Sequence, residues 1–535
     1  MWLKFTYARI YITYNNKNKA VTEDEFPRLG PSQKADICLL LEGTYPYVRG
    51  GVSSWVHQLM VGHPQYQFSL IFVGASSEHY SEMHFEFPPN VCHFERHFLN
   101  DSLDLGEPKE HSLDKETVTI LKSLYELLAK GGQAPALKQL SGLHKLLSRA
   151  SDYSADQFFY SPEIWDMITD AYRNNCPDLP FNEFFWNVRA MHAPILALLK
   201  IAVQVPMADC YHTISTGYAG LLGLFLRLMK NKPLMVTEHG IYTKERQIDL
   251  YQVDWIKENN PYLAAGLDDR ISYIRQLWMQ FFEGLGRLTY SGCLVIVTLY
   301  GQNRQKQIDL GAPPERSIVI PNGVKIERFV PLRDERSDTI PPVLCLLGRV
   351  VPIKDIKTYI RAIGILKDKI PDVEGWIVGP EEEEPEYAAE CHTLVEQLGL
   401  QEQVKFLGFQ NINDILPKMS LMTLSSISEG QPLVILEGYA AGVPVLSTDV
   451  GSCRELVEGR TEEDRALGSA GSIVPIANPR ALANAAADLL ADEDRWYQAQ
   501  KSAIARVELL YGEQTFLDNY KELYQKVLSH GRNRV

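Results

Sequence analysis

The chain has 535 residues, of which 45% are hydrophobic and 22% are charged. This is the composition of a globular protein and excludes overall disorder, and the length predicts two to four domains rather than one small module. The 53 basic and 67 acidic side chains give a net charge of −14, which argues against nucleic acid as a partner but leaves room for a local phosphate pocket.

The cysteines and the N-terminus predict the compartment. The eight cysteines form no CxxC pair, and several lie in apolar runs such as ICLLL and GCLVIV, as buried reduced thiols do. The N-terminal stretch lacks the apolar run of a signal peptide, and no segment approaches the ~20 apolar residues of a membrane span. We therefore expect a cytoplasmic protein that reaches the inner membrane only through partner proteins.

The first predicted elements are a strand, a glycine loop and a helix. ICLLLEG is a continuous apolar run, the loop with Gly50 and Gly51 follows, and Val52, Trp55 and Val56 begin a helical period. FSLIFVGA, DCYHTIS, PLMVTEHG and CLVIVTLY repeat the apolar runs. Runs of this kind are typical of a parallel sheet that is covered by helices on both faces.

Helical patterns interrupt these strands twice, and alternating strands and helices return after a polar, proline-bounded stretch. The predicted fold is α/β, with two Rossmann-like, doubly wound domains that face each other across a cleft. The predicted division is an N-terminal extension (1–35), a first domain (36–330) with helical insertions at about 101–192 and 241–290, a linker (331–342), a second domain (343–495), and C-terminal helices that pack back on the first domain (496–535).

The segment SEGQPLVILE, which starts at Ser428, is the most informative about function. Pro432 suits the first turn of a helix, and Gly430 lets a ligand approach the backbone. A helix start offers free N–H groups and the positive end of its dipole. A diphosphate could therefore rest near Gln431, Pro432 and Leu433.

Two carboxylates flank this helix start. Glu429 and Glu437 would be ~12 Å apart if the segment were helical throughout. One carboxylate could then accept hydrogen bonds from sugar hydroxyls and the other from a ribose. The alternative is that both are solvated side chains, although Glu437 falls in an otherwise apolar helix.

Cations that could bind phosphate are predicted on a neighbouring strand end. Gly348 and Arg349 end the apolar run PVLCLLGRV, and Lys354 follows at the start of the next helix. An arginine fork and a lysine charge can neutralise a departing diphosphate without a metal. Surface salt bridging is the alternative.

The first domain offers weaker candidates. Gly50 and Gly51 follow the first strand but lack a phosphate-loop motif, so a structural turn is the alternative. His239 follows another strand and would point into the cleft, although a lone histidine is often structural. The segment HFERH from His93 lacks a clear helical period and does not predict a metal site. The acidic run at 381–384 is predicted to be a solvated loop.

Together these segments resemble the retaining GT-B glycosyltransferases of family four, which use nucleotide sugars such as UDP-glucose. The E-x7-E pattern at Glu429 and Glu437 matches, and IVIPNGV, GRVVPIKD and GVPVLSTDVGSCREL follow in the family order. A narrower resemblance is to the Pel-type exopolysaccharide glycosyltransferases. It rests on LLLEGTYPYVRGGVSSWVHQL, TEHGIYTKER and SISEGQPLVILEGYAAGVPV, and it extends across both domains.

The resemblance implies roles for the candidate residues. The cations contact the donor diphosphate, Glu429 holds sugar hydroxyls, Glu437 binds ribose, and His239 lies near the transferred sugar. The implied catalytic residues are Arg349, Lys354, Glu429 and His239. The implied donor-binding residues are Gly50, Gly51, Asn322, Gly348, Ser428, Gly430, Gln431, Pro432, Leu433 and Glu437. No metal or other cofactor is expected.

The resulting hypothesis is a retaining enzyme that transfers a sugar, most simply glucose, from a UDP-sugar to a growing exopolysaccharide of Pel type. Its implied partners are the donor, the saccharide acceptor and an inner-membrane secretion complex. Two alternatives stay open: a UDP-sugar epimerase on the same fold, and a non-catalytic nucleotide-sugar-binding subunit of a secretion complex. The chain departs from the family pattern at Lys325, where an aspartate is usual, and at Ser452, where a glycine is usual.

Overall fold

The computed structural model describes residues 26–30, 32–101, 112–129, 131–176, 180–252, 273–337 and 339–532. Of the predicted N-terminal extension (1–35), residues 1–25 and 31 lie outside this part. Two parallel sheets organise the rest of the chain.

The first sheet has seven strands. They are β1 (Ala35–Glu42), β2 (Phe68–Gly74), β3 (Val91–Phe98), β4 (Ala208–Thr213), β5 (Leu234–Glu238), β6 (Cys293–Thr298) and β7 (Ser317–Val319). Their order is β3-β2-β1-β4-β5-β6-β7, and every pair is parallel. β2, β4 and β5 are buried at every position because helices cover both faces of the sheet.

The second sheet has six strands. They are β8 (Val343–Leu347), β9 (Glu374–Val378), β10 (Val404–Gly408), β11 (Leu421–Leu424), β12 (Val445–Thr448) and β13 (Gly471–Val474). Their order is β10-β9-β8-β11-β12-β13, again with parallel pairs. In both sheets the strand order reverses beside the first strand, so the predicted α/β fold with two doubly wound domains is confirmed.

Ten α-helices accompany the first sheet within the described residues. They are α1 (Gly51–Val61), α2 (Lys115–Ala129), α3 (Ser141–Ser148), α4 (Ala155–Tyr160), α5 (Pro162–Asn175), α6 (Phe181–Gln204), α7 (Tyr218–Lys230), α8 (Tyr242–Gln252), α9 (Tyr273–Gly292) and α10 (Gly301–Asp309). α6 extends past the predicted insertion limit at 192, because its second half is buried from Ile195 to Leu199 and again at Ile201 and Ala202. Trp278 of α9 donates to Asn187 of α6 (2.9 Å), so the two insertions share one core.

Nine α-helices follow in the described part of the second half. They are α11 (Ile356–Lys367), α12 (Pro385–Gln397), α13 (Ile412–Ile415), α14 (Leu433–Ala440), α15 (Cys453–Glu458), α16 (Glu462–Arg465), α17 (Pro479–Leu490), α18 (Glu493–Leu510) and α19 (Glu513–Arg532).

The last two helices separate between the domains, which corrects the predicted grouping of 496–535. α18 belongs to the second domain, where the fully buried Arg506 pairs with Asp464 at 2.6 Å. If α18 moved away, Arg506 and Asp464 would separate and leave buried charges without partners. This ion pair therefore holds α18 against the second domain. Only α19 packs on the first domain, through Phe516, Tyr520 and Tyr524.

The chain passes between the domains twice at one place. Val324 and Gly512 form a parallel bridge, and the backbone N–H of Val324 donates to the carbonyl of Tyr511 at 2.9 Å. A Cβ atom at Gly323 would lie 2.7 Å from the carbonyl oxygen of Gly512, so only glycine allows this approach. The crossing therefore precedes the predicted linker at 331–342, whose residue Leu332 already belongs to the second core.

Candidate active site

The loop at 428–432 lies where the two domains meet. A Cβ atom at Gly430 would be 3.2 Å from the carbonyl oxygen of His239, which follows β5 of the first domain. The backbone N–H of Asn322, just after β7, donates to Oε1 of Gln431 at 2.7 Å. Both of these contacts join a strand end of the first sheet to the loop after β11. The predicted donor loop is therefore an interdomain element.

Beyond this loop, α14 begins at Leu433, and Pro432 is its N-cap rather than a residue of its first turn. Within the described residues no side chain caps this end, and the Ile435 N–H donates to the Pro432 carbonyl at 3.2 Å, so the N–H groups of Leu433 and Val434 remain open to a ligand. Because residues 429–432 are not helical, the separation estimated for a continuous helix between Glu429 and Glu437 does not apply.

The loop after β12 packs against the backbone of the donor loop (428–432). The backbone N–H of Ser452 donates to the carbonyl of Gly430 at 2.9 Å. Gly451 has a φ of +56°, and a Cβ atom there would lie 2.3 Å from the Gly430 oxygen. Ser452 has an ordinary φ of −88°, which explains why a serine fits where the family has glycine.

Lys354 and Glu429 are in direct contact. Lys354 Nζ lies 2.5 Å from Glu429 Oε1, and Ser426 Oγ donates to the same oxygen at 2.6 Å. The turn carrying Lys354 is fixed to the end of β11, because Ser425 Oγ donates to the Lys354 carbonyl (2.8 Å). Two residues that are 75 positions apart in sequence thus form one polar centre, with side chains 22% and 12% exposed.

Arg349 follows Gly348, where a Cβ atom would lie 3.5 Å from Cε of Lys354, and it contacts Glu383 in the loop after β9. Its Nη1 atom is 2.5 and 2.7 Å from the two carboxylate oxygens. Glu383 is only 12% exposed, so the prediction of a solvated acidic loop is wrong at this residue. The pairing of β8 with β9 is the signal that could have indicated this contact, since Arg349 and Glu383 follow the ends of these two strands.

Close backbone packing brings these two loops together. The backbone N–H of Gly348 donates to the carbonyl of Val378 at 2.9 Å. A Cβ atom at Gly379 would lie 2.0 Å from the carbonyl oxygen of Gly348, so the loops approach this closely only with glycine at 379. Gly348, the glycine of the GRV motif, is therefore packed against Val378 and Gly379 directly before Arg349.

Glu437 lies one turn into α14. Burial raises the pKa of its carboxyl group, and the positive charge of Arg328 counteracts this effect. No hydrogen bond or ion pair to this carboxylate occurs within the described residues. Its acceptor oxygens are thus available to hydroxyl groups of a ligand. Arg328 was missed by the sequence reasoning, because it follows the PNGV segment in an irregular stretch.

On the opposite side, the first domain presents Gly50 and Gly51 at the start of α1. Both residues are exposed, and a Cβ atom at either would meet nothing within 4 Å. α1 has no side-chain cap among the described residues. Its first N–H groups are therefore accessible, as the phosphate interpretation requires.

His239 follows β5 and packs edge-on against Trp55, with ring centroids 4.7 Å apart. Burial lowers the pKa of its imidazole to about 4, so the ring is neutral near pH 7. Nε2 is buried and has no hydrogen-bond partner within the described residues. The structure thus holds a neutral imidazole, rather than a cation, close to the donor loop.

Two further carboxylates at strand ends of the first domain escaped the sequence reasoning. Glu238 is 1% exposed and accepts from Thr216 (2.9 Å), Tyr290 (2.7 Å) and Gln307 (2.8 Å). Glu42 accepts from the Ser215 hydroxyl at 2.9 Å. These partners satisfy both groups internally, so they organise the strand ends.

The described residues show neither a metal-binding cluster nor a membrane-spanning helix. In the part of the chain that the structure describes, no three His, Cys, Asp or Glu side chains are grouped closely enough to hold a metal ion. His93 and His97 instead each face Glu95 on β3, at 3.0 and 3.1 Å. No described helix combines the length and the apolar character needed to cross a bilayer.

This arrangement defines a class of protein. The fold is GT-B, and residues 341–492 match the family model of glycosyl transferases group 1. The chain belongs to the family described as "Domain of unknown function (DUF3492)", whose model matches residues 35–315, more than half of the chain.

Curated relatives match shorter segments. The chain is 28% identical over 243 residues to the D-inositol 3-phosphate glycosyltransferase of Streptomyces scabiei, covering 42% of this chain and 52% of that protein. It is 31% identical over 200 residues to the lipopolysaccharide core biosynthesis mannosyltransferase LpsB of Rhizobium meliloti, covering 35% and 54%. The chain thus spans about half the length of these relatives.

Solved structures match the fold over most of the chain. HepE of Anabaena in complex with UDP aligns with a TM-score of 0.54 at 15% identity, covering 92% of this chain and 100% of that one. Sucrose-phosphate synthase of Thermosynechococcus elongatus aligns with a TM-score of 0.55 at 17% identity, covering 92% and 99%. At these identities the likeness is one of fold.

Proposed function

We propose that this protein is a UDP-sugar-dependent glycosyltransferase of the retaining type. The observation that carries the proposal is the Lys354–Glu429 contact, with Arg349 beside it at the strand ends and the open N-terminus of α14 following the same loop. This combination offers two cations and free backbone N–H groups to a diphosphate, and a carboxylate to sugar hydroxyls. The matching group 1 domain supports this chemistry.

The proposed donor is UDP-glucose, in an extended pose along this surface. The diphosphate lies between Arg349 and Lys354, Glu437 receives the ribose hydroxyls, and Glu429 receives hydroxyls of the sugar. HepE, a neighbour in fold, has been crystallised with UDP-glucose, which supports the choice of probe. Gly50 and Gly51 approach the phosphate from the first domain, and His239 lies near the sugar.

In the proposed reaction the bond between the anomeric carbon and the β-phosphate oxygen breaks, and its electron pair leaves with UDP. The acceptor hydroxyl oxygen bonds to the same carbon from the same face. Its proton passes to the departing phosphate. Arg349, Lys354 and the first N–H groups of α14 stabilise the charge that develops on that phosphate. The step needs no metal, which we propose is absent from the mechanism.

The finer biological assignment is also a proposal. The segments that resemble Pel-type exopolysaccharide glycosyltransferases support a growing polysaccharide as acceptor. A secretion complex at the inner membrane would then receive the product, with this chain working at its cytoplasmic face. The eight cysteines, all free and seven of them buried, are compatible with a reducing compartment.

The test is binding and transfer with a panel of nucleotide sugars in the presence of EDTA. We expect calorimetric binding of UDP and UDP-glucose, and transfer to an oligosaccharide acceptor with UDP released. An isomeric UDP-sugar formed without acceptor would indicate an epimerase instead. Nucleotide-sugar binding without transfer or hydrolysis would indicate a non-catalytic subunit, and activity lost in EDTA would contradict the metal-free mechanism.

A further inference from the structure

Arg349 is held at both its backbone and its side chain. The backbone N–H groups on either side of it donate to the end of β9 and the loop that follows, from Gly348 to Val378 and from Val350 to Pro380, both at 2.9 Å. Its Nη1 atom contacts both oxygens of Glu383. The Nε and Nη2 atoms have no partner within the described residues. The free edge of the guanidinium is therefore the edge that carries two parallel donors.

Glu383 is well placed to hold that geometry. Its side chain is 12% exposed. It lies in the loop after β9, two residues before α12 begins at Pro385. The positive end of the α12 dipole favours a carboxylate at this point. Arg349 itself is 47% exposed, and an exposed arginine without a partner would sample many rotamers. The ion pair thus fixes an otherwise mobile cation.

We propose that Glu383 is a positioning residue of the donor site: it holds Nη1 of Arg349 so that the Nε–Nη2 edge faces the donor diphosphate. This inference rests on the proposed function, because it assigns the ligand of that edge. It also opposes the simplest reading of the ion pair, in which Glu383 competes with the diphosphate for Arg349. The two readings predict opposite effects when the carboxylate is removed.

The test measures UDP affinity by calorimetry on full-length variants with a matched control. Glu384 is adjacent and acidic, and its side chain has no hydrogen bond or ion pair in the part of the chain that the structure describes, so Glu384→Ala serves as the control for the loss of one negative charge. We expect Glu383→Ala to bind UDP about tenfold more weakly than Glu384→Ala. Equal or tighter binding by Glu383→Ala would overturn the proposal and indicate competition.

Two further variants separate geometry from charge. Glu383→Gln keeps an acceptor oxygen for Nη1, and we expect its affinity to lie within about threefold of Glu384→Gln. Glu383→Asp keeps the charge but shortens the reach, and we expect it to weaken UDP binding. Wild-type affinity in Glu383→Asp would overturn positioning, and these milder substitutions also serve if Glu383→Ala does not fold.

A readout without nucleotide separates this proposal from the proposed function. Phenylglyoxal modifies accessible arginines, and peptide mass spectrometry gives the rate at Arg349. We expect a faster rate in Glu383→Ala and an unchanged rate in Glu384→Ala. If the wild type binds no UDP, the proposed function fails, while the modification rates still decide whether Glu383 fixes Arg349. An unchanged rate in Glu383→Ala would refute the fixed geometry.

Discussion

The two domains share a doubly wound architecture but differ in how their strand ends treat charge. In the first domain, Glu42 and Glu238 have hydroxyl, amide and backbone donors from their own domain, and His239 is neutral. In the second, Lys354 and Arg349 pair with carboxylates at a partly exposed surface. A ligand anion can reach the cations of the second arrangement, whereas the carboxylates of the first already have donors from their own domain. Under the proposed function, the second domain therefore supplies the charges for the diphosphate, and the first domain contributes neutral side chains and backbone N–H groups.

Lys354 tests whether the second domain carries the charge that a leaving diphosphate needs. We expect Lys354→Ala to reduce kcat/KM for the donor about 100- to 1000-fold, because a preorganised charge on the leaving group is lost. The thermal midpoint should change little. Lys357→Ala, in the first turn of α11 and paired with Glu390, is the matched control and should retain activity. Full activity in Lys354→Ala would refute the leaving-group role.

Glu437 tests whether the second domain also recognises the nucleoside. We expect Glu437→Gln to weaken UDP binding about tenfold, since the amide accepts fewer hydrogen bonds than a carboxylate. Because burial raises the pKa of Glu437, wild-type affinity should also fall as the pH is lowered and the carboxylate takes up a proton. Calorimetry at several pH values measures both effects. Unchanged affinity in Glu437→Gln would place the ribose elsewhere.

Gly451 tests the support of the donor loop. Gly451→Ala brings a Cβ atom against the carbonyl oxygen of Gly430, and we expect about fivefold to tenfold weaker donor binding together with a lower thermal midpoint. Gly399→Ala is the control, because residue 399 has a similar φ of +64° but open space around it. It should lower the midpoint without changing affinity. Equal affinity losses would attribute the effect to backbone strain alone.

The smallest expected effect concerns the neutral histidines of the first domain. Burial lowers the pKa of His212 to about 3, below its ordinary value near 6.5. Between these values the unfolded chain binds a proton that the folded chain does not, so stability falls as the pH falls. We expect His212→Gln to flatten the decline of the thermal midpoint between pH 7.5 and 5. The exposed His530→Gln should leave it unchanged, and an identical slope in both variants would contradict this origin.

Part of the site was readable from the order of residues. Lys354 and Glu429 each follow an apolar run, and parallel strands end at the same edge of a sheet, so their proximity followed from the predicted topology. Glu383 did not follow in the same way, since a run of four glutamates reads as solvated until its neighbour across the sheet edge is known. The passage of α18 and α19 between the domains was likewise hidden, because both have amphipathic patterns.

The two α/β domains were predictable from the residue order, since apolar runs and helical periods are local properties of the chain. The loop at 428–432 was predictable as well, because glycine widens and proline restricts the backbone conformations wherever they stand. The close approach at Gly323 and the contact between Arg349 and Glu383 were visible only in the folded chain. Those contacts join segments distant in the chain, and their energies depend on a separation and a burial that no local pattern encodes.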